Sequence, residues 1–153
     1  MDFNRIPRAL LAGLVATAAM TFMAYFVAPV MLGHPMDIAH MLSGLAGGSW
    51  AIGMLMHLMN GIVVFPLIYS IVLYRFLPGA PWLKGILWGV VLWLGLEIVI
   101  LPMTGAGEFN TNGGGAKALM AALVVHLIYG VLLGTITGQS GRVAAAGLKE
   151  HTI

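Results

Sequence analysis

Inside long apolar runs this chain keeps His57, Glu97 and His126, side chains that can exchange protons or bind metals. The histidines stand in matching phrases, HLMNG at His57–Gly61 and HLIYG at His126–Gly130. Neutral imidazole is a usual haem ligand, and helix bundles place cofactors between facing helices. His57 and His126 are therefore candidate axial ligands of a haem b, with the nearby glycines giving the macrocycle room. Glu97 beside either histidine is a candidate proton relay for a small proton-coupled transporter, because intramembrane carboxylates and histidines serve that purpose in pumps. A plainer role competes with both. Each histidine can hydrogen-bond to Glu97, Asn60, Tyr129 or a backbone carbonyl and tie two helices together, and this reading is preferred. A looser set comprises His34, His40, Met36 and Met41. Thioethers and imidazoles suit Cu(I), although methionine is equally a flexible apolar filler.

The elements that must position these groups are four apolar stretches, at about 9–32, 50–74, 82–103 and 116–138. Each reaches the ~20 helical residues that cross a hydrocarbon core. A backbone in lipid must pair its own polar groups, so the stretches read as helices, and none alternates with the period of a strand. The expected fold is all-α, an integral membrane four-helix bundle forming a single domain over residues 1–153. The first stretch is longer than a signal-peptide h-region and lacks a clear small-x-small site, so it reads as a retained helix with Pro7 near its first turn. Pro66 interrupts the second stretch, frees the Ile62 carbonyl and predicts a kink. Within GHPMDIAHMLSGLAGGS, Ile38, Met41, Leu42 and Leu45 fall at helical spacing, which predicts a short amphipathic helix lying on the outer surface.

Composition limits the functions available. The chain is 60% hydrophobic and 8% charged, against roughly 25% charged in soluble domains. Without cysteine there are no disulfides, thiolate chemistry or Fe–S ligands. The net charge of +2 gives no footprint for nucleic acid. Arg5, Arg8, Arg75, Lys84, Arg142 and Lys149 share one side of a four-span topology, opposite Lys117. This asymmetry puts both termini in the cytoplasm. Trp50, Trp82, Tyr69 and Tyr74 lie near helix ends, as interfacial anchors do. Nucleophile elbows, zinc-protease motifs and phosphate loops are missing, so the chain reads as non-enzymatic.

The chain also reads as one helix hairpin written twice, with a period of roughly 70 residues. The His-Leu-x-x-Gly phrase marks the second helix of each half. Gly13-x-x-x-Thr17-x-x-x-Thr21 corresponds to Gly85-x-x-x-Gly89-x-x-x-Trp93 in the first helices. Gly53 and Gly61, and Gly130, Gly134 and Gly138, form small-residue stripes that allow close helix approach. RALLAGLVATAAMT, PMDIAHMLSGL, W-x6-H-x3-G at Trp50–Gly61, PGAPWLKG and HLIYGVLLG carry a resemblance. They resemble the uncharacterised four-helix bacterial inner-membrane proteins classed under a domain of unknown function. The resemblance implies a bacterial cytoplasmic membrane and a four-span fold, and carries over no activity and no functional residues. The expected role is a non-enzymatic accessory or structural subunit, its partners being the lipid bilayer and either other membrane subunits or further copies of itself.

Overall fold

Long runs of leucine, valine, isoleucine and alanine close their own backbone hydrogen bonds only as helices. The computed structural model, which describes residues 5–111 and 114–138, contains four helices long and apolar enough to cross a membrane. These are α1 (Arg5–Leu32), α3 (Trp50–Leu73), α4 (Pro81–Met103) and α5 (Gly115–Thr137), joined by a short α2 (Ile38–Ser43) and a 3₁₀ turn at Glu108–Asn110. No strand occurs among the described residues. The start of α1 and the end of α5 share one end of the bundle, here the terminal end; α2 lies at the far end. Arg142, Lys149, Asn112 and Gly113 lie outside the described residues.

Three of the four spanning helices contain proline, and each breaks in the same way. A π-turn occupies Met23–Val27 before Pro29, Asn60–Val64 before Pro66, and Leu96–Ile100 before Pro102. Within each π-turn the amide five residues on donates to the first carbonyl: Ala28 to Met23, Phe65 to Asn60, and Leu101 to Leu96. The next amide in that register would belong to proline, which has none. One carbonyl per helix is therefore stranded, at Ala24, Gly61 and Glu97. The interruption expected at Pro66 takes the form of a π-turn, whose register withdraws the donor of the Gly61 carbonyl. α5 has no proline and runs as uninterrupted α-helix. A further π-turn, at Ile68–Leu73, ends α3 without a proline behind it.

Glycine sets the packing order, α3–α1–α5–α4 around the bundle. A Cβ on Gly85 would strike the Gly130 carbonyl and lie 2.9 Å from the Gly134 Cα, so α4 and α5 touch backbone to backbone. Gly61 lies against the Thr17 side chain, and a Cβ on Gly13 would come within 2.8 Å of the Gly61 carbonyl oxygen. The two hairpins thus pack through equivalent positions, Gly13 on the Gly61 carbonyl in one and Gly85 on the Gly130 carbonyl in the other. α3 and α4 are neighbours, as their short connection suggests, but they meet through large side chains. Phe65 and Trp88 stack edge to face at 6.2 Å, and Lys84 Nζ donates to the Tyr74 carbonyl at 2.7 Å. The core comprises Ala12, Ala16, Tyr69, Trp88, Tyr129 and Leu133.

Several expectations change. α1 begins at Arg5, one turn before its purely apolar run, because Pro7 fits a first helical turn. Tyr69 is not an interfacial anchor: it is fully buried, with its hydroxyl 3.5 Å from the Pro81 carbonyl. Trp50 and Trp82 are about half exposed at opposite ends, as anchors should be. α2 does not float on a surface. Ala39, Leu42 and Ser43 are buried, and the Ala39 carbonyl fills the space beside Gly53.

Candidate functional site

The polar residues of the spans gather at mid-depth. His126 is the middle residue of α5, and Gly61 lies at the middle of α3. His57 is buried one helical turn nearer the far end, and its Nε2 lies 2.8 Å from Thr21 Oγ1 on α1. The Thr21 hydroxyl donates to the Thr17 carbonyl at 2.7 Å. Its single proton is thereby used, so His57 supplies the proton to Thr21 and is the Nε2–H tautomer. His126 Nδ1 lies 2.7 Å from the Ala122 carbonyl, which can only accept. His126 is therefore the opposite tautomer, protonated on Nδ1.

Tyr129, two per cent exposed, crosses the bundle from α5 to α3 and donates to the Gly61 carbonyl at 2.7 Å. That carbonyl is the one stranded by Pro66. The equivalent stranded carbonyl on α1, Ala24, receives the Met36 amide at 3.0 Å. Proline therefore does more than bend these helices: it leaves an acceptor that its own helix does not serve. Asn60 begins the α3 π-turn and is half buried, its carbonyl taking the Phe65 amide.

Glu97 does not join the histidines. It is fully buried on α4, and neither carboxyl oxygen has a hydrogen-bond partner. The indole of Trp93, one turn away, lies near enough to the carboxyl to interact with it, but its N–H is directed to the Leu119 carbonyl at 3.3 Å.

These distances bear on each sequence reading. The glycines that offered room for a macrocycle are filled: Gly61 by Thr17, Gly89 by the His126 carbonyl, and Gly130 by Gly85. His57 Nε2, the outer ring nitrogen, is committed to Thr21, which leaves only the inner Nδ1 as a lone pair. His57 ties two helices, though through Thr21, whereas His126 bonds only the Ala122 carbonyl of its own helix; the tie from α5 to α3 is made by Tyr129. At the far end His34 Nδ1 lies 3.0 Å from the Pro35 carbonyl, and His34 and His40 are exposed. Met36 is held through its amide, and Met41 sits in α2. No group of three His, Cys, Asp or Glu side chains suited to a metal occurs among the described residues.

A second polar centre has no counterpart in the sequence reading. Asp37 Oδ1 accepts from the Tyr25 hydroxyl at 2.6 Å, the His40 amide at 3.0 Å and the Trp50 indole at 3.1 Å. One carboxylate oxygen thus joins α1, α2 and α3 while capping α2. Burial works to raise the Asp37 pKa, but the hydrogen bonds from Tyr25, the His40 amide and Trp50 outweigh it and hold the carboxyl below its ordinary value. The available sequence signal was the N-cap pattern, aspartate just before an apolar helical run. Thr17 and Thr21 were visible only as small-residue positions.

No curated protein and no solved structure matches this chain. The model of one family, a family of unknown function (DUF6789), matches residues 3–145. Those residues hold all four spanning helices, the central ties and the Asp37 centre. The chain belongs to that family, DUF6789.

Proposed function

We propose that this multi-pass protein is a non-enzymatic accessory subunit of a bacterial inner-membrane assembly, with both termini in the cytoplasm. The observation that carries the reading is how the mid-depth polar groups are used. His57, His126 and Tyr129 each hold a protein partner, and Tyr129 serves a carbonyl stranded by proline. Such groups make a pre-formed, rigid bundle and leave none of the three poised over a substrate cavity. The glycine stripes are spent within the chain, so they do not form the contact with a partner. What remains outward is apolar: Leu11, Val15, Phe22, Phe26 and Val30 run along one exposed face of α1, with Phe22 and Phe26 stacked at 5.2 Å. Positive charge at the terminal end supports the orientation. There Arg5 and Lys84 both lie over the Tyr74 ring, at 4.1 and 4.4 Å.

The test is purification in mild detergent after crosslinking in the native membrane. The expected result is a crosslinked species, with a partner or a second copy, that maps to the outward face of α1. A strictly monomeric protein without crosslinked neighbours would refute the role. A Soret band lost in both His57→Ala and His126→Ala would replace it with the haem reading.

A further inference from the structure

The π-turn and proline rule leaves three stranded carbonyls, and two have donors. The third, on Glu97, has lost its usual helical donors: Leu101 donates to Leu96 instead, and Pro102 has no amide. The same residue carries the fully buried carboxyl whose two oxygens are also without partners. Three oxygens of one residue are therefore short of donors inside the apolar span. The Trp93–Leu119 bond fixes the level, and Glu97 lies one turn further along α4, in the π-turn that packs against the 3₁₀ turn at Glu108–Asn110. An ionised carboxylate without partners is not sustained in such surroundings, and buried polar groups of this kind ordinarily bind a water or an ion.

We propose that Glu97 is a proton-binding site, a neutral carboxyl that holds one water molecule against its own stranded carbonyl. The hydrogen count favours this occupant. Protonation makes one carboxyl oxygen a donor to the water, whose two O–H groups then match the two oxygens that remain, the other carboxyl oxygen and the carbonyl. A hard metal cation asks for about six oxygens, twice what is present. The titratable groups on the elements packed against this stretch are Glu108 in the 3₁₀ turn, and Lys117 and His126 on α5. Glu108 and Lys117 are exposed, and none of the three is bonded to the carboxyl. The site is separate from the accessory role, since a subunit can hold a proton with or without a partner.

A protonated carboxyl adds across a carbodiimide, its proton going to nitrogen and its oxygen to the central carbon, and the O-acylisourea rearranges to a stable N-acylurea; an apolar carbodiimide enters from the lipid. The full-length protein in lipid nanodiscs is treated with dicyclohexylcarbodiimide and mapped by peptide mass spectrometry. A single intramembrane adduct is expected at Glu97. It should diminish as pH rises and be absent in Glu97→Gln. A water-soluble carbodiimide should label Glu108 and spare Glu97. No adduct at Glu97 at neutral or acidic pH would overturn the proposal, as would protection from labelling by sodium ions, which would make the occupant a metal cation. The carbonyl's part is read separately by infrared spectroscopy. The protonated carboxyl band should be missing in Glu97→Gln and shifted in Pro102→Ala, where a new amide competes for that carbonyl. An unshifted band in Pro102→Ala would remove the carbonyl from the site.

Discussion

Replacing Tyr129 with phenylalanine removes one hydroxyl and keeps the ring that fills the core. The Gly61 carbonyl then loses the only hydrogen bond available to it, because Pro66 occupies the position of its helical donor. A buried carbonyl left unsatisfied costs ~1–3 kcal/mol. Hydrogen bonds in membrane proteins average only ~0.6 kcal/mol, with a maximum of ~1.7, because the separated helices find other partners. That compensation is closed to Gly61: its own helix carries the proline in every state. The cost of Tyr129→Phe should therefore lie near the upper figure, ~1.5 kcal/mol, or about tenfold in the unfolding equilibrium. In Pro66→Ala the amide restored at that position serves the carbonyl, and the added cost of Tyr129→Phe should fall below ~0.5 kcal/mol. The four-protein cycle is read by reversible unfolding in mixed micelles on titration with dodecyl sulfate, followed by circular dichroism. Such a cycle cancels the separate loss of Pro66 from its contact with Gly13. An equal cost of Tyr129→Phe in both backgrounds would refute the stranded-carbonyl argument.

The same unfolding assay should separate two glycines of α4. Gly85→Ala drives a methyl into the Gly130 carbonyl and should cost ~1–3 kcal/mol, whereas Gly95→Ala meets nothing within 4 Å and should be neutral or mildly stabilising. Nitrogen NMR of the imidazoles should find the proton on Nε2 of His57 and on Nδ1 of His126. Thr21→Val should abolish the preference at His57 alone, and Thr21→Ser should keep it. The Asp37 centre should loosen in acid. Its folded pKa lies below the unfolded value, near 3.9, so its contribution is complete above that value and is lost as pH falls through the lower folded one. A change in Trp50 fluorescence below about pH 4, absent in Asp37→Asn, reports it; a pH-independent signal in the wild type contradicts it.

The spans were legible because lipid admits so few backbone solutions. Twenty apolar residues without a strand period leave only a helix, and the ends moved by no more than a turn. The glycine stripes were legible as contact faces but not as to what they touch. Gly130 facing Gly85 and Gly61 facing Thr17 depend on the order of helices around the bundle, which periodicity does not encode. Pro66 announced an interruption, but not the π-turn that withdraws the donor of the Gly61 carbonyl. Glu97 did not reach the histidines either: it lies in the π-turn of α4, which packs against the 3₁₀ turn at Glu108–Asn110. Asp37 was hidden for another reason. Its three donors come from Tyr25, His40 and Trp50, and only the His40 contact is local in sequence.

The unbroken α5 has a mechanical consequence. Every other spanning helix is divided at its π-turn into two segments joined by a few weakened hydrogen bonds, whereas α5 resists bending along its whole length. Glycine packing clamps α5 to α4 below the α4 break, and Tyr129 pins it at mid-depth to the break in α3. The bundle is therefore a stiff post with jointed struts. A load applied at the far end, through α2 or the Asp37 centre, would flex α1, α3 and α4 at their π-turns while α5 kept its line.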